Sequence, residues 1–349
     1  MSATIRQRWI RLGWLALLGA LLWLALKNAP LADIWASLRQ LTLWQLLIIL
    51  VLDVIAFVLV TMRWWIVVRA KSSRVPLFPL IGYRMAAFAL SYFTPGPQVG
   101  GEPLQVLYLQ KNYGLGFARA TSAVIVDKLL EFFTNFLFLA FGLYAISRVG
   151  IFSENGMQAM LSAIPLVALL LWPPIHLVLL YQKRFPLSAL LQWIERRFGR
   201  RDWMRLLVIS ERMAGSFCRR HLGALLLSLM VSLLSWLVMA YEYSLMARFL
   251  NISLDFWQVL AALTALQLAF MLPMPAGLGA MELGQVLVMR GMGLPDALGI
   301  SLSLLMRGRD LFNGGIGLLI ASGALNSKSQ NLRESATSSP QGESADKIT

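Results

Sequence analysis

Pro95-Gly96-Pro97-Gln98-Val99-Gly100-Gly101-Glu102 interrupts one apolar stretch of this chain, and Pro273-Met274-Pro275-Ala276-Gly277-Leu278-Gly279-Ala280-Met281-Glu282 interrupts another. The second break repeats the first. Pro95 and Pro275 are 180 residues apart, as are Glu102 and Glu282, and the register then continues with one residue of slippage. Gly114/Gly293, Ala118/Ala297, Lys128/Arg307 and Glu131/Asp310 are each 179 apart. A Pro/Gly-broken hydrophobic segment at corresponding places in two halves of a membrane protein points to a substrate site between the halves. The pattern therefore directs attention to transport.

Composition supports a membrane setting. Of 349 residues, 58% are hydrophobic and only 14% charged, against about 25% charged in soluble domains. The largest polar connection, 183–221, is too short for a catalytic domain of about 50 residues or more. One cysteine, Cys218, and two distant histidines, His176 and His221, offer no material for a Cys/His metal cluster, so no cofactor is expected. No Gly-x-x-x-x-Gly-Lys-Ser/Thr phosphate loop is present.

The net charge of +14 has a topological distribution. Arg6, Arg8 and Arg11, then Arg63, Arg69, Lys71 and Arg74, then the 183–221 segment together hold a charge equal to the whole excess. Short basic loops stay cytoplasmic. Spans are expected near 12–27, 43–62, 119–146, 158–181, 222–247 and 296–322, the first as an uncleaved anchor. Residues 77–111 and 256–291 form the two broken hairpins. Threading the basic loops through this map puts both termini in the cytoplasm and gives the two copies opposite orientation. The expected fold is an all-α polytopic integral membrane protein with inverted repeats, six full spans and two re-entrant hairpins. It is one transmembrane domain, 1–322, with repeat one at about 77–146 and repeat two at about 256–322. Residues 183–221 read either as a basic interfacial helix with Leu190, Trp193, Phe198, Trp203, Leu206 and Phe217 at the acyl boundary of the inner leaflet or as a solvated basic loop obeying the positive-inside rule. Residues 323–349 read as a disordered cytoplasmic tail.

Charged residues inside spans cost about 2.5 to 3.5 kcal/mol each when unpaired and facing lipid. Lys128 with Glu131, and Arg307 with Asp310, are three apart and share a helix face, where each can pair locally. They read either as structural ion pairs or as ligands of an anionic headgroup, with Asp127 and Arg309 adding to the density. The breaks at Pro95, Gly100, Gly101, Pro273, Pro275, Gly277 and Gly279 free backbone groups that survive only where protein or a wet cavity satisfies them. The short helices after them aim positive ends at that cavity. Glu102 and Glu282 either cap those helices or exchange protons. Asp53, Arg84 and Glu242 stand alone within apolar sequence, Arg84 being able to snorkel, and Asn135 and Gln267 suit interhelical hydrogen bonds.

Taken together, the Pro95/Gly101-Glu102 and Pro273-x-Pro275-x-Gly277-x-Gly279-x-x-Glu282 breaks, with Asp127-Lys128-x-x-Glu131 and Arg307-x-x-Asp310, resemble the lysylphosphatidylglycerol synthase transmembrane, flippase-like family over roughly residues 10–322. The resemblance implies the lipid-translocating half without an aminoacyl-transfer domain, and a lipid-export role for polyprenyl-linked sugars, modified phospholipids or hopanoids. Where it implies Gly-Glu-x-x-Arg, this chain has Gln105. The resulting expectation is a non-enzymatic inner-membrane lipid transporter. It would act on an anionic phospholipid or lipid-linked phosphate, without nucleic acid and with a lipid-synthesis enzyme as a possible partner. The alternatives are an intramembrane lipid-modifying enzyme with Glu102 or Glu282 as base, and an accessory lipid-binding subunit.

Overall fold

A computed structural model describes residues 41–70, 75–93, 100–149, 164–198, 202–271 and 279–337, besides the single residues 35, 39 and 72. The expected span at 12–27 and the break residues Pro95, Pro273, Pro275 and Gly277 lie outside the described residues. Every element described is helical. The order is α1 (Leu43–Arg69), α2 (Leu77–Phe93), α3 (Glu102–Tyr113), α4 (Phe117–Arg148), α5 (Ile164–Tyr181), α6 (Pro186–Phe198), α7 (Asp202–Arg220), α8 (Leu222–Phe249), α9 (Phe256–Met271), α10 (Ala280–Gly291) and α11 (Asp296–Thr337). Three of these, α1, α4 and α8, are long and apolar enough to cross a membrane. The last helix extends past residue 322, where the sequence suggests that the tail begins.

The faces of α8 show the solvent for which the fold is built. Leu226, Met230, Leu234 and Leu237 are exposed, while Ser228, Ser232, Ser235 and Glu242 are buried. Both sets recur at three- and four-residue steps, so the helix has an apolar face outward and a polar face inward. Water would reward the reverse; lipid rewards this arrangement. The protein is accordingly a multi-pass membrane protein.

The sequence recurrence reappears as recurrence of elements. Helices α1, α2 and α3 have 27, 17 and 12 residues, and α8, α9 and α10 have 28, 16 and 12. Each short helix is followed by a left-handed glycine, Gly114 at φ 65° and Gly293 at φ 71°, a conformation that costs other residues steric energy. Each set then continues into a long helix, α4 or α11. Packing is reciprocal: α2 lies against α11, α9 lies against α4, and α1 lies along α8. Glycines permit the first two crossings. A Cβ on Gly317 of α11 would stand 2.2 Å from the Met85 carbonyl oxygen of α2, and one on Gly142 of α4 would stand 1.7 Å from Thr264 Oγ1 of α9. Among the described residues three apolar clusters complete the bundle, one including Val106 and Leu109 of α3, one Met281 and Met289 of α10, and one Phe93 of α2 with Leu318 of α11.

Two further features differ from the sequence reading. Arg63, assigned there to a cytoplasmic loop, lies within α1 and is buried. The 183–221 segment forms two helices, and α7 packs on α4 and α5. Phe217 therefore faces protein, whereas Leu190 and Trp193 of α6 remain exposed. Glu211 of α7 explains the docking. It accepts bonds from the Ser188 hydroxyl at 2.5 Å and from the Leu187 and Ser188 amides at 3.0 and 2.6 Å, so it caps the start of α6. His176 Nε2 of α5 stands 3.2 Å from its other side.

Gly317→Ala is expected to weaken the bundle by about 1 to 3 kcal/mol, because the obstacle is backbone. Gly315→Ala, where nothing lies within 4 Å, serves as its companion in thermal unfolding in detergent. Equal melting temperatures would refute the close crossing. Burial pushes the Glu211 carboxyl up, but the adjacent His176 imidazole and the bonds from Ser188 and Leu187 outweigh it and hold the group below its ordinary 4.5. Its contribution is therefore present above that value and lost as pH falls below it. Limited proteolysis of 183–221 should accelerate on acidification below about pH 4.5 in wild type, and be fast but less pH-sensitive in Glu211→Gln.

Candidate functional site

One face of α1 presents Asp53, Ala56, Phe57, Val60 and Arg63 in steps of one to three residues, and one face of α4 presents Lys128, Glu131 and Asn135. Both line a cavity of about 250 Å³ enclosed by α1, α2, α4, α8, α9 and α11, with Glu102 and Gln105 contributed by α3. The wall is mostly apolar, with polar groups gathered into two clusters, the composition expected of a site that holds an amphipathic molecule.

The first cluster is formed by α1, α2, α3 and α4. Asp127 is fully buried and receives two arginines: Arg63 Nε at 2.7 Å and Arg84 Nη1 at 2.9 Å. The same arginines reach Glu131, at 2.6 and 2.8 Å. Lys128 Nζ bridges Glu131 at 2.7 Å and Glu102 at 2.9 Å. Three cations thus face three carboxylates. Such a network can offset the desolvation of its members only because nearly every oxygen and nitrogen is engaged. Arg84 does not snorkel; its guanidinium is committed inside the bundle.

The second cluster is formed by α1, α8, α10 and α11. Arg307 Nη2 lies 2.6 Å from Glu282 Oε1, the counterpart of the Lys128–Glu102 pair. The expected local pairing of Arg307 with Asp310 does not form. Instead Arg309 takes Asp310 Oδ1, through Nη2 at 2.9 Å and Nε at 3.1 Å. Its Nη1 donates to both Glu242 oxygens at 2.9 Å, and Nε stands 3.4 Å from Asp53. Asn313 donates to the other Asp53 oxygen at 2.8 Å.

Of the residues singled out in the sequence, Glu102, Lys128, Glu131 and Asp310 line the cavity together. Arg307 and Glu282 are paired and adjoin it: Tyr92 of the wall lies in the field of both. Gly100, Gly101 and Gly279 flank the starts of α3 and α10. Glu102 helps close its break by accepting the Gly100 N–H at 2.8 Å, so it combines a local backbone role with its ion pair. Asn135 and Gln267 are wall residues.

Arg63 and Arg309 carry more of the site than their sequence surroundings suggest, and one signal could have exposed Arg63: it continues the three-residue steps of the Asp53 face. A second missed pair is Gln105 and Gln285, again 180 apart and both buried. Gln285 accepts from the Tyr243 hydroxyl and donates to the Ala262 carbonyl at 2.7 Å. Gln105 lines the cavity, and its Oε1 has no hydrogen-bond partner among the described residues.

A lipid-facing helical bundle around a mostly apolar cavity that carries two ion-paired clusters defines a polytopic membrane protein. Sequence comparison supplies the family: the chain belongs to the family of the lysylphosphatidylglycerol synthase TM region, whose pattern matches residues 11–317. A UPF0104 membrane protein of Methanothermobacter thermautotrophicus is 34% identical over 111 residues, 31% of this chain and 32% of that protein. This chain thus matches only about a third of that relative's length. The UPF0104 membrane protein PH1989 of Pyrococcus horikoshii is 24% identical over 281 residues, 75% of this chain and 81% of that protein. No solved structure matches the chain.

Asp127→Ala removes the carboxylate shared by Arg63 and Arg84, and losing one partner of a buried network costs about 3 to 5 kcal/mol. Fluorescence-detected size exclusion should show a large loss of monodisperse protein relative to Arg290→Ala, which removes an exposed pair with Asp296. Comparable profiles would show that the network is not structural.

Proposed function

We propose that the protein is a lipid transporter of the inner membrane that passes the headgroup of an anionic phospholipid or lipid-linked phosphate through the central cavity while its tails stay in lipid. The observation that carries this reading is the duplicated carboxylate–cation pair: Glu102 with Lys128 at 2.9 Å and Glu282 with Arg307 at 2.6 Å. Each pair joins the first turn of a short helix to the long helix that follows it. A phosphate entering from either half can displace the carboxylate and take the cation, so the pairs act as occupied anion sites that reopen when a headgroup arrives. Arg307 offers a bidentate fork and Lys128 a point charge, and the helix starts at Glu102 and Ala280 add partial positive charge.

The positive-inside distribution gives the two copies opposite orientation, with N- and C-termini in the cytoplasm. Reciprocal packing of α2 on α11 and α9 on α4 suits an exchange of access in which one half moves against the other. The membership of the family supports a lipid-related role. The repetition favours transport over catalysis, since a reaction centre would need an asymmetric acid, base or nucleophile set.

The test is movement of headgroup-labelled anionic phospholipid and of a polyprenyl phosphate in proteoliposomes, for wild type, Lys128→Ala, Arg307→Ala and the double variant. A charge-assisted bond to phosphate is worth about 1.5 to 3 kcal/mol, so each single change should slow transport about tenfold or more. Transport indifferent to both residues, or none by correctly folded wild type, would refute the reading.

A further inference from the structure

The two clusters are built on corresponding helices but do not balance alike. In the first, Arg63, Arg84 and Lys128 meet Glu102, Asp127 and Glu131, one cation for each carboxylate. In the second, after Arg307 is assigned to Glu282, a single guanidinium serves Asp53, Glu242 and Asp310. Were all ionised, that subset would hold two negative charges more than positive ones. All three acids are at least nine-tenths buried, and close carboxylates in such a medium do not all stay ionised.

Among the described residues no other charge compensates nearby. On α2, Arg84 is committed to Asp127 and Glu131, and Tyr92 is neutral. On α10, Glu282 adds another acid; across the cavity, Lys128 is held between Glu102 and Glu131. Helix α9 brings Leu263, Leu266, Phe270 and the neutral Gln267 to the wall, and no charge. Segments 94–99 and 272–278, which complete the two breaks, contain no ionisable side chain. A metal cation is disfavoured by geometry, because the Arg309 guanidinium already stands between the carboxylates where such an ion would sit. A proton on one of these acids removes one of the two excess charges.

A second, independent feature marks the place. Tyr92 is 3% exposed and lines the cavity, and its hydroxyl has no hydrogen-bond partner among the described residues. It lies in the field of Asp310, Arg307, Arg309 and Glu282. Such an orphaned group needs a partner that comes and goes, or it would cost stability for nothing. Both bonds from Arg309 to Asp310 end on Oδ1, leaving Oδ2 to carry hydrogen.

We propose that Asp53, Glu242, Arg309 and Asp310 form a proton-binding site facing the cavity, with the exchangeable proton on Asp310 Oδ2 and Tyr92 as its hydrogen-bonding neighbour. Proton uptake converts the Asp310 carboxylate to a carboxylic acid and weakens its hold on Arg309. Release restores the ion pair. Where the lipid reading above holds, this proton is the coupling ion, its exchange altering the contact between α11 and the α1–α8 pair as the headgroup passes.

The test needs no lipid transport. Full-length protein in nanodiscs of zwitterionic lipid is titrated between about pH 5 and pH 8 while infrared difference spectra follow the carbonyl stretch of protonated carboxylic acids. Wild type should show such a band, shifted by carboxyl-¹³C aspartate and largely lost in Asp310→Asn; Tyr92→Phe should move its frequency. The isotope arm uses wild type only, so the outcome does not depend on the variants folding. No protonated-acid band, a band that shifts only with labelled glutamate, or one unaltered in folded Asp310→Asn overturns the proposal. A proteoliposome assay with an imposed pH gradient then separates the two ideas. A band without lipid movement leaves the proton site standing and removes the transport reading, whereas lipid movement without a band does the reverse.

Discussion

Asp127 sets the constraint on which the bundle depends. It is a fully buried carboxylate on α4, in a chain whose outward faces are built for lipid, and it would be untenable alone. Its two oxygens take one guanidinium from α1 and one from α2. Those arginines have no alternative exit, since both are buried, and they fix how far α1 and α2 can slide along α4. Hydrophobic burial cannot impose such a register when lipid is as apolar as the core. The polar network and the close glycine crossings therefore do what a hydrophobic core does in water.

The correspondence between halves extends further than the repeated segments themselves. At the same 179-residue offset, Arg63 of α1 corresponds to Glu242 of α8, Asp127 to Met306, and Leu130 to Arg309. In one half α1 supplies the cation and the long helix the acids; in the other α8 supplies an acid and the long helix the cation. Each half keeps an ion pair between the same two helices with its polarity reversed. The scaffold thus preserves the mechanical link while allowing the two ends of the cavity different charge.

The sequence made the repeat legible because proline, glycine and charge are conspicuous in apolar surroundings, and because an offset near 180 survives insertions elsewhere. Glu102 with Lys128 and Glu282 with Arg307 could be recognised as paired positions. Their partners could not be assigned, since spacing reports only what shares one helix face. Arg307 and Asp310 satisfy the three-residue rule, yet Asp310 turns to Arg309 because Glu242 and Asp53 draw that guanidinium to the same place. Arg63 was obscured for a different reason. It stands six residues before Arg69 at the basic end of α1, where a charge count cannot distinguish a loop cation from a buried one. The docking of α7 through Glu211 was also hidden, since an acid in a basic amphipathic stretch reads as one more surface charge.

The unequal charge of the two clusters has an energetic consequence that equal halves would lack. If access alternates by exchanging the positions of two like halves, symmetry alone would make the two states equally stable, and neither gradient nor potential would have anything to act on. An uncompensated charge in one half removes that degeneracy. The membrane potential does work of roughly 2.3 kcal/mol per unit charge per 100 mV across the full thickness, so even a fraction of that path is comparable to the few kcal/mol separating conformers. Adding a proton to the cluster would reduce the bias and removing it would reinstate it. Under the transport reading proposed above, the second half, rather than the better-paired first, is the part of the bundle through which a gradient would do work.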